Sequence, residues 1–132
     1  METFAVYIND QVHGPQQVLS LLESKEPARW VLLAFPPRIS RHMGRWLSQP
    51  AKKKWRIRWS EQALHEITQR MAAKGDRFEV RILQQGPTPK LERELRREFG
   101  SLRIIDARRL PERWEVPASA AAMGGLVALA VE

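Results

Sequence analysis

Apolar and polar positions along this chain fall into short runs of two kinds, and the kinds alternate. Phe4-Ala5-Val6-Tyr7-Ile8 is an unbroken β-prone run ended by Asn9-Asp10, which predicts a first strand. Beyond His13-Gly14, Val18, Leu19, Leu21 and Leu22 share one side of a helix to about Ser24, with Pro15 at its first position. After Arg29, every residue from Trp30 to Phe35 is apolar, the mark of a strand covered on both faces, and Pro36-Pro37 stops it. Ile39, Met43, Trp46 and Leu47 are spaced i, i+4, i+7 and i+8, which predicts a helix ending near Gln49-Pro50.

The next run has the other period. Trp55, Ile57 and Trp59 alternate with Lys54, Arg56 and Arg58, so Lys54–Trp59 reads as a strand with one wet face, at or near a sheet edge. Ser60 suits the N-cap of a helix to Lys74, with Leu64, Ile67 and Met71 inward and Gly75 as terminator. Phe78, Val80 and Ile82 alternate with Glu79 and Arg81 in a half-buried strand, followed by a turn at Gln85-Gly86-Pro87. Thr88 and Pro89 open a charged helix with Leu91, Leu95 and Phe99 inward, and Gly100 closes it. Leu102–Ile105 reads as a strand, and Pro111 and Pro117 mark an irregular segment. Gly124-Gly125 favours a turn into a last strand, Leu126–Val131. Alternation at this spacing predicts one α/β domain over residues 1–132, three layers deep, with a mainly parallel sheet and helices on both faces.

Composition narrows the class. The hydrophobic fraction of 43% and the charged fraction of 28% are those of a globular domain. The absence of cysteine excludes a disulfide scaffold, a thiolate zinc site and a cysteine nucleophile, and fits a reducing compartment. The longest apolar tract, Ala118–Val131, is too short to span a bilayer, and no basic segment leads into an apolar run at Met1. The expectation is a cytoplasmic protein without a membrane partner.

Charge changes the picture more. The 22 basic residues exceed the 15 acidic ones, for a net +7. Between Arg38 and Arg58 lie Arg38, Arg41, Arg45, Lys52, Lys53, Lys54, Arg56 and Arg58, with no acidic residue among them. Such a segment is either a solvated face or the footprint of an anionic partner: nucleic acid, an acidic protein surface or anionic lipid. Five tryptophans accompany it, most of them in the apolar pattern. Trp and Arg dominate interface hot spots, which makes Arg29, Arg45, Trp46 and Lys54 candidates for partner contact. Aromatic residues beside arginine can also stack single-stranded bases.

Catalytic chemistry is sparse. The loop Asn9–Gln17 stands where a nucleotide-binding α/β fold puts its phosphate loop. It holds one glycine, no lysine and no Ser/Thr, and Pro15 removes an amide, so ATP or GTP binding is not expected there. His13, His42 and His65 have no metal-ligand spacing. Asp10 ends a strand, where catalytic carboxylates often sit, but has no identifiable base, nucleophile or metal partner. The reading is a non-enzymatic domain without cofactor or metal.

The segment ARWVLLAFPPRISRHMGRW, Ala28 to Trp46, resembles the hallmark region of SulA-type cell-division inhibitors. In that family an Arg-Trp opens a central apolar strand, followed by a proline and a helix carrying Ser/Thr, a basic residue and Trp. QQVLSLLES before it, and HEITQRMAAKGDRFEVRILQQGP, TPKLERELRREFG and GGLVALAVE after it, keep the family's order over roughly residues 14–132. The resemblance implies a RecA-like fold that has lost its phosphate loop. It implies an SOS-response protein that binds FtsZ, the tubulin-like division GTPase, and blocks septation by covering a polymer interface. Its contacts would be Arg29, Trp46 and Lys54, with Arg38, Arg41 and Arg45 in the same basic face; Trp46 is shifted by two residues from the family spacing. The family's longer N-terminal region is missing, and the chain ends Ala130-Val131-Glu132 rather than in the family's protease signal.

The stretch from Glu66 to Val131 also resembles the last subdomain of actin-like pilus and secretion assembly proteins, in which Ala118–Val131 would be a helix. Two other readings stay open beside the inhibitor: a basic nucleic-acid-binding module, and an enzyme with a pocket near Asp10. An edge-to-edge homodimer through the two half-wet strands is a further expectation.

Overall fold

A computed structural model describes residues 2–24 and 26–109. Its four strands are β1 (Thr3–Ile8), β2 (Arg29–Ala34), β3 (Arg77–Ile82) and β4 (Arg103–Asp106). They form one all-parallel sheet in the order β3-β2-β1-β4. The helices are α1 (His13–Ser24), α2 (Arg41–Gly44), α3 (Gln49–Lys74) and α4 (Pro89–Phe99). This is an α/β domain of the expected class, and the order matches the first four strands of a doubly wound sheet.

The sheet has two covered faces because β1 and β2 are apolar at nearly every position. Phe4, Val6, Ile8, Trp30, Leu32 and Ala34 pack under α1 and α3, against Val18, Leu22, Leu64, Ile67 and Met71. Ala5, Tyr7, Val31, Leu33 and Phe35 pack on the opposite face with Leu95 of α4 and Leu102. Burying a side chain such as Ile67 or Leu33 contributes about 1.5–3 kcal/mol. Phe4 stacks on Trp30 at 4.8 Å between ring centroids. Asp76 ties the strand starts together: its buried carboxylate accepts from the Ala28 amide at 2.6 Å and lies 3.6 Å from Lys74 Nζ.

Several sequence expectations hold. Thr88 caps α4, Pro89 stands in its first turn and Gly100 follows it. Gly75 ends α3 at a φ of 91°, in the left-handed region where glycine is unstrained. Helix α1 is present as expected but starts at His13, so Pro15 is its third residue rather than its first.

Three expectations are overturned. Lys54–Trp59 is not a strand but lies within α3, a single helix of 26 residues. The N-cap of that helix is Ser48, whose Oγ accepts from the Ala51 amide at 3.2 Å, with Pro50 beginning the helix rather than ending one. Ser60 is therefore mid-helix and buried, its hydroxyl donating to the Arg56 carbonyl one turn back. The helix expected through Ile39, Met43, Trp46 and Leu47 is reduced to the four residues of α2, because its apolar positions gain no buried face: Met43 and Trp46 are 54% and 78% exposed, and Ile39 and Leu47 are only partly covered. Strand β3 is at the sheet edge, and Phe78 and Val80 are each about two-fifths exposed. The irregular segment at Pro111–Pro117, the last strand Leu126–Val131 and the helical alternative for Ala118–Val131 lie outside the described residues.

The length of α3 sets up the functional end of the molecule. Twenty-six helical residues rise about 39 Å, whereas a six-residue strand runs about 20 Å. All of the buried residues of α3 fall between Ser60 and Met71. Its first half, Gln49–Trp59, thus overhangs the carboxyl ends of the strands.

Candidate anion-binding mouth

The chain leaves β2 at Ala34 with one more sheet bond, from the Phe35 amide to the Ile8 carbonyl at 2.8 Å. Pro36-Pro37 removes two amides and ends pairing. Ser40 then caps α2, accepting from the Met43 amide at 3.1 Å, and the Trp46 amide bonds the Met43 carbonyl at 3.1 Å to form the turn into α3. Pro36–Arg41, Gly44, Arg45 and the overhang of α3 close around a cavity of about 500 Å³, with Gln84 after β3 completing it.

Five cations line this cavity: Arg38, Arg41, Arg45, Lys52 and Arg56. Among the described residues, no carboxylate lines it. Among the described residues, no ion pair involves any basic residue from Arg38 to Arg58. Like charges about 10 Å apart repel by roughly 0.4 kcal/mol in water and 1.7 kcal/mol near a protein surface. Lys52, Lys53 and Lys54 also sit near the positive end of α3, which has no acidic residue in its first turn. The arrangement is locally unfavourable, and local conflict of this kind concentrates at functional sites.

Of the contacts expected from sequence, Arg38, Arg41 and Arg45 come together in this mouth. Trp46 follows Arg45 directly and is 78% exposed. Lys54 is exposed on the overhang of α3 and is not among the lining residues. Arg29 stands apart, at the amino-terminal end of β2, where its guanidinium lies 4.9 Å from the Phe99 ring centroid. Phe99 also receives Arg81 at 5.2 Å, and Arg81 forms a paired contact with the Glu98 carboxylate, one branch at 2.9 Å. That pairing, chiefly the hydrogen bond from Arg81, holds the Glu98 carboxyl below its ordinary range. Lys52 and Arg56 are the lining cations that the sequence counts within the basic segment but does not single out as contacts. Their i, i+4 spacing is the signal, and it is legible only if the segment is helical.

The usual phosphate position, after β1, is occupied by the chain itself. Both Asp10 oxygens accept backbone amides: His13 at 2.7 Å, Gly14 at 2.9 Å and Val12 at 3.3 Å. Partial burial pushes the Asp10 carboxyl up, but those three bonds outweigh it and hold the group below its ordinary value. Asn9 bonds both backbone groups of Arg109, accepting from its amide at 2.7 Å and donating to its carbonyl at 3.1 Å. His13 lies within 3.1 Å of Gln17, and no group of three metal-capable side chains occurs among the described residues. Among them, no helix is long and apolar enough to cross a membrane.

No family model matches the chain, nor does any curated protein or solved structure.

Proposed function

We propose that this chain is a non-enzymatic binding domain that docks an acidic protein surface at its basic mouth, with Trp46 as the apolar anchor. The observation that carries this reading is Trp46 itself, 78% exposed and directly after Arg45, one of five cations that line the mouth. An exposed Trp adjoining arginine has the composition of an interface hot spot, which is rich in both residue types. The unpaired cations would steer an acidic partner into place, while Trp46 would hold it.

The resemblance of Ala28–Trp46 to SulA-type inhibitors supplies the partner: FtsZ, blocked stoichiometrically in the cytoplasm during the SOS response. A RecA-like ancestry belongs to the same proposal, and the self-capped loop at Asp10 accords with a lost phosphate loop. On this reading Arg38, Arg41 and Arg45 contribute through the mouth and Lys54 through the overhang, while Arg29 lies outside the footprint.

The density of unpaired cations also favours a second reading, a nucleic-acid-binding module with Trp46 stacking on a base. Sedimentation of FtsZ polymer with GTP, titrated with this protein, separates the two. Loss of polymer near equimolar ratio, reversed by Trp46→Ala, is the expected result. Intact polymer at excess protein, with oligonucleotide affinity that falls steeply with salt, would replace the first reading by the second.

A further inference from the structure

The docking reading uses the rim and Trp46; the cavity beneath has chemistry of its own. Its size, about 500 Å³, is that of a small-molecule site. Its walls differ. Pro36, Pro37 and Ile39 form an apolar side, and Pro36 is buried. Arg38, Arg41 and Arg45 come from the loop and α2, and Lys52 and Arg56 from one face of α3, one turn apart. Three independent pieces of chain thus aim positive charge at one concave space, and among the described residues no carboxylate lines it. The cavity lies beyond the carboxyl ends of β2 and β3, on the side of an open parallel sheet where such folds hold ligands.

We propose that this cavity binds a small organic oligophosphate of nucleoside di- or triphosphate size, its phosphates among the five cations and its uncharged part against Pro36, Pro37 and Ile39. Arginine favours this class, because its planar fork bonds phosphate oxygens in pairs. Several phosphates match several cations better than one does, so affinity rises with phosphate count. The site is distinct from the loop after β1, whose amides Asp10 already occupies. Arg38, Arg41 and Arg45 are shared with docking, but Trp46 does not line the cavity, so substituting Trp46 tests docking apart from this site.

Isothermal titration of the full chain at 150 mM salt, with inorganic tripolyphosphate, ATP, ADP and AMP, tests the site. One-to-one binding of tripolyphosphate and ATP is expected, with ATP at least tenfold tighter than AMP. Arg56→Gln should weaken ATP at least tenfold, and Lys54→Gln, an equal charge loss on the same helix outside the cavity, less than twofold. Arg56→Gln also relieves a like-charge pair with Lys52, so it should fold normally; Lys52→Gln serves as the second variant. A ligand rise in melting temperature should follow the same ranking across variants. Trp46→Ala should leave ATP binding unchanged, so that failure of the docking reading leaves this result standing. The proposal is overturned by absence of saturable binding in the millimolar range, by equal affinity for AMP and ATP, or by equal losses in Arg56→Gln and Lys54→Gln. A short single-stranded oligonucleotide that binds a hundredfold more tightly than ATP in the same competition would also overturn it, because the cations would then serve a strand's backbone.

Discussion

Gly14 stands so close to Ala107 that a Cβ on it would lie 2.8 Å from the Ala107 carbonyl oxygen and 3.3 Å from Ile8 Cγ2. The start of α1 is thereby pressed against the end of β4, across the crevice where doubly wound folds commonly hold a ligand. The nearest obstacle is backbone, so a side chain can be fitted only by moving the sheet or the helix. Gly14→Ala should destabilise the protein by about 1–3 kcal/mol. Urea unfolding should show a lower midpoint with an unchanged slope, and an unchanged midpoint would mean that this contact is loose.

Asp10 should behave as a cap rather than as a catalytic carboxylate. Its pKa is held below the ordinary 3.8, so the ionised form is favoured by folding. The stability it contributes is fully present above the unfolded value and is lost as pH falls through the folded one. Asp10→Ala should cost about 0.5–2 kcal/mol at pH 7. The gap between wild type and variant should narrow below pH 3.8, the ordinary value for this carboxyl. A gap that stays constant down to pH 2.5 would contradict the capping role.

The overhang of α3 can be tested through its backbone. Arg58 is exposed, so replacing its side chain alone should change little. Proline at that position removes an amide inside a helix and should cost about 3 kcal/mol or more, with loss of far-ultraviolet helical signal. An edge strand would tolerate the same change far better. A near-neutral Arg58→Pro would restore the alternating-strand reading of Lys54–Trp59.

The contrast between legible and illegible segments follows burial. Residues in β1 and β2 are covered on both faces, so their continuous apolar runs identify them without ambiguity. Helix α4 is equally plain, because Thr88, Pro89 and Gly100 are local signals that act before any packing. Gln49–Arg58 contributes no buried residue, Trp59 alone packs against the core, and Trp55 and Ile57 are each more than a third exposed. With no core to impose a 3.6-residue period, the tryptophans and isoleucine fell into an accidental alternation. The same absence misleads at Ile39–Leu47, where the helical spacing of apolar residues serves no buried face. The site was legible as charge but not as shape. All five cations follow from counting, whereas the convergence of Lys52 and Arg56 with Arg38, Arg41 and Arg45 on one cavity follows only once α3 is continuous.

Trp46 separates docking from stability. At 78% exposure it supports no core, so Trp46→Ala should shift unfolding free energy by less than about 0.5 kcal/mol. The same substitution should cost about 2 kcal/mol or more in partner binding if it is the anchor. Equal affinity of wild type and variant for FtsZ would remove Trp46 from the interface.

Hydrogen–deuterium exchange of this protein with and without FtsZ maps the docking surface itself. New protection should be confined to residues 36–56, the loop, α2 and the overhang of α3, and should be absent around Arg29 and along α4. Protection centred on Arg29 and α4, or no protection at any residue with FtsZ in excess, would contradict docking at the basic mouth.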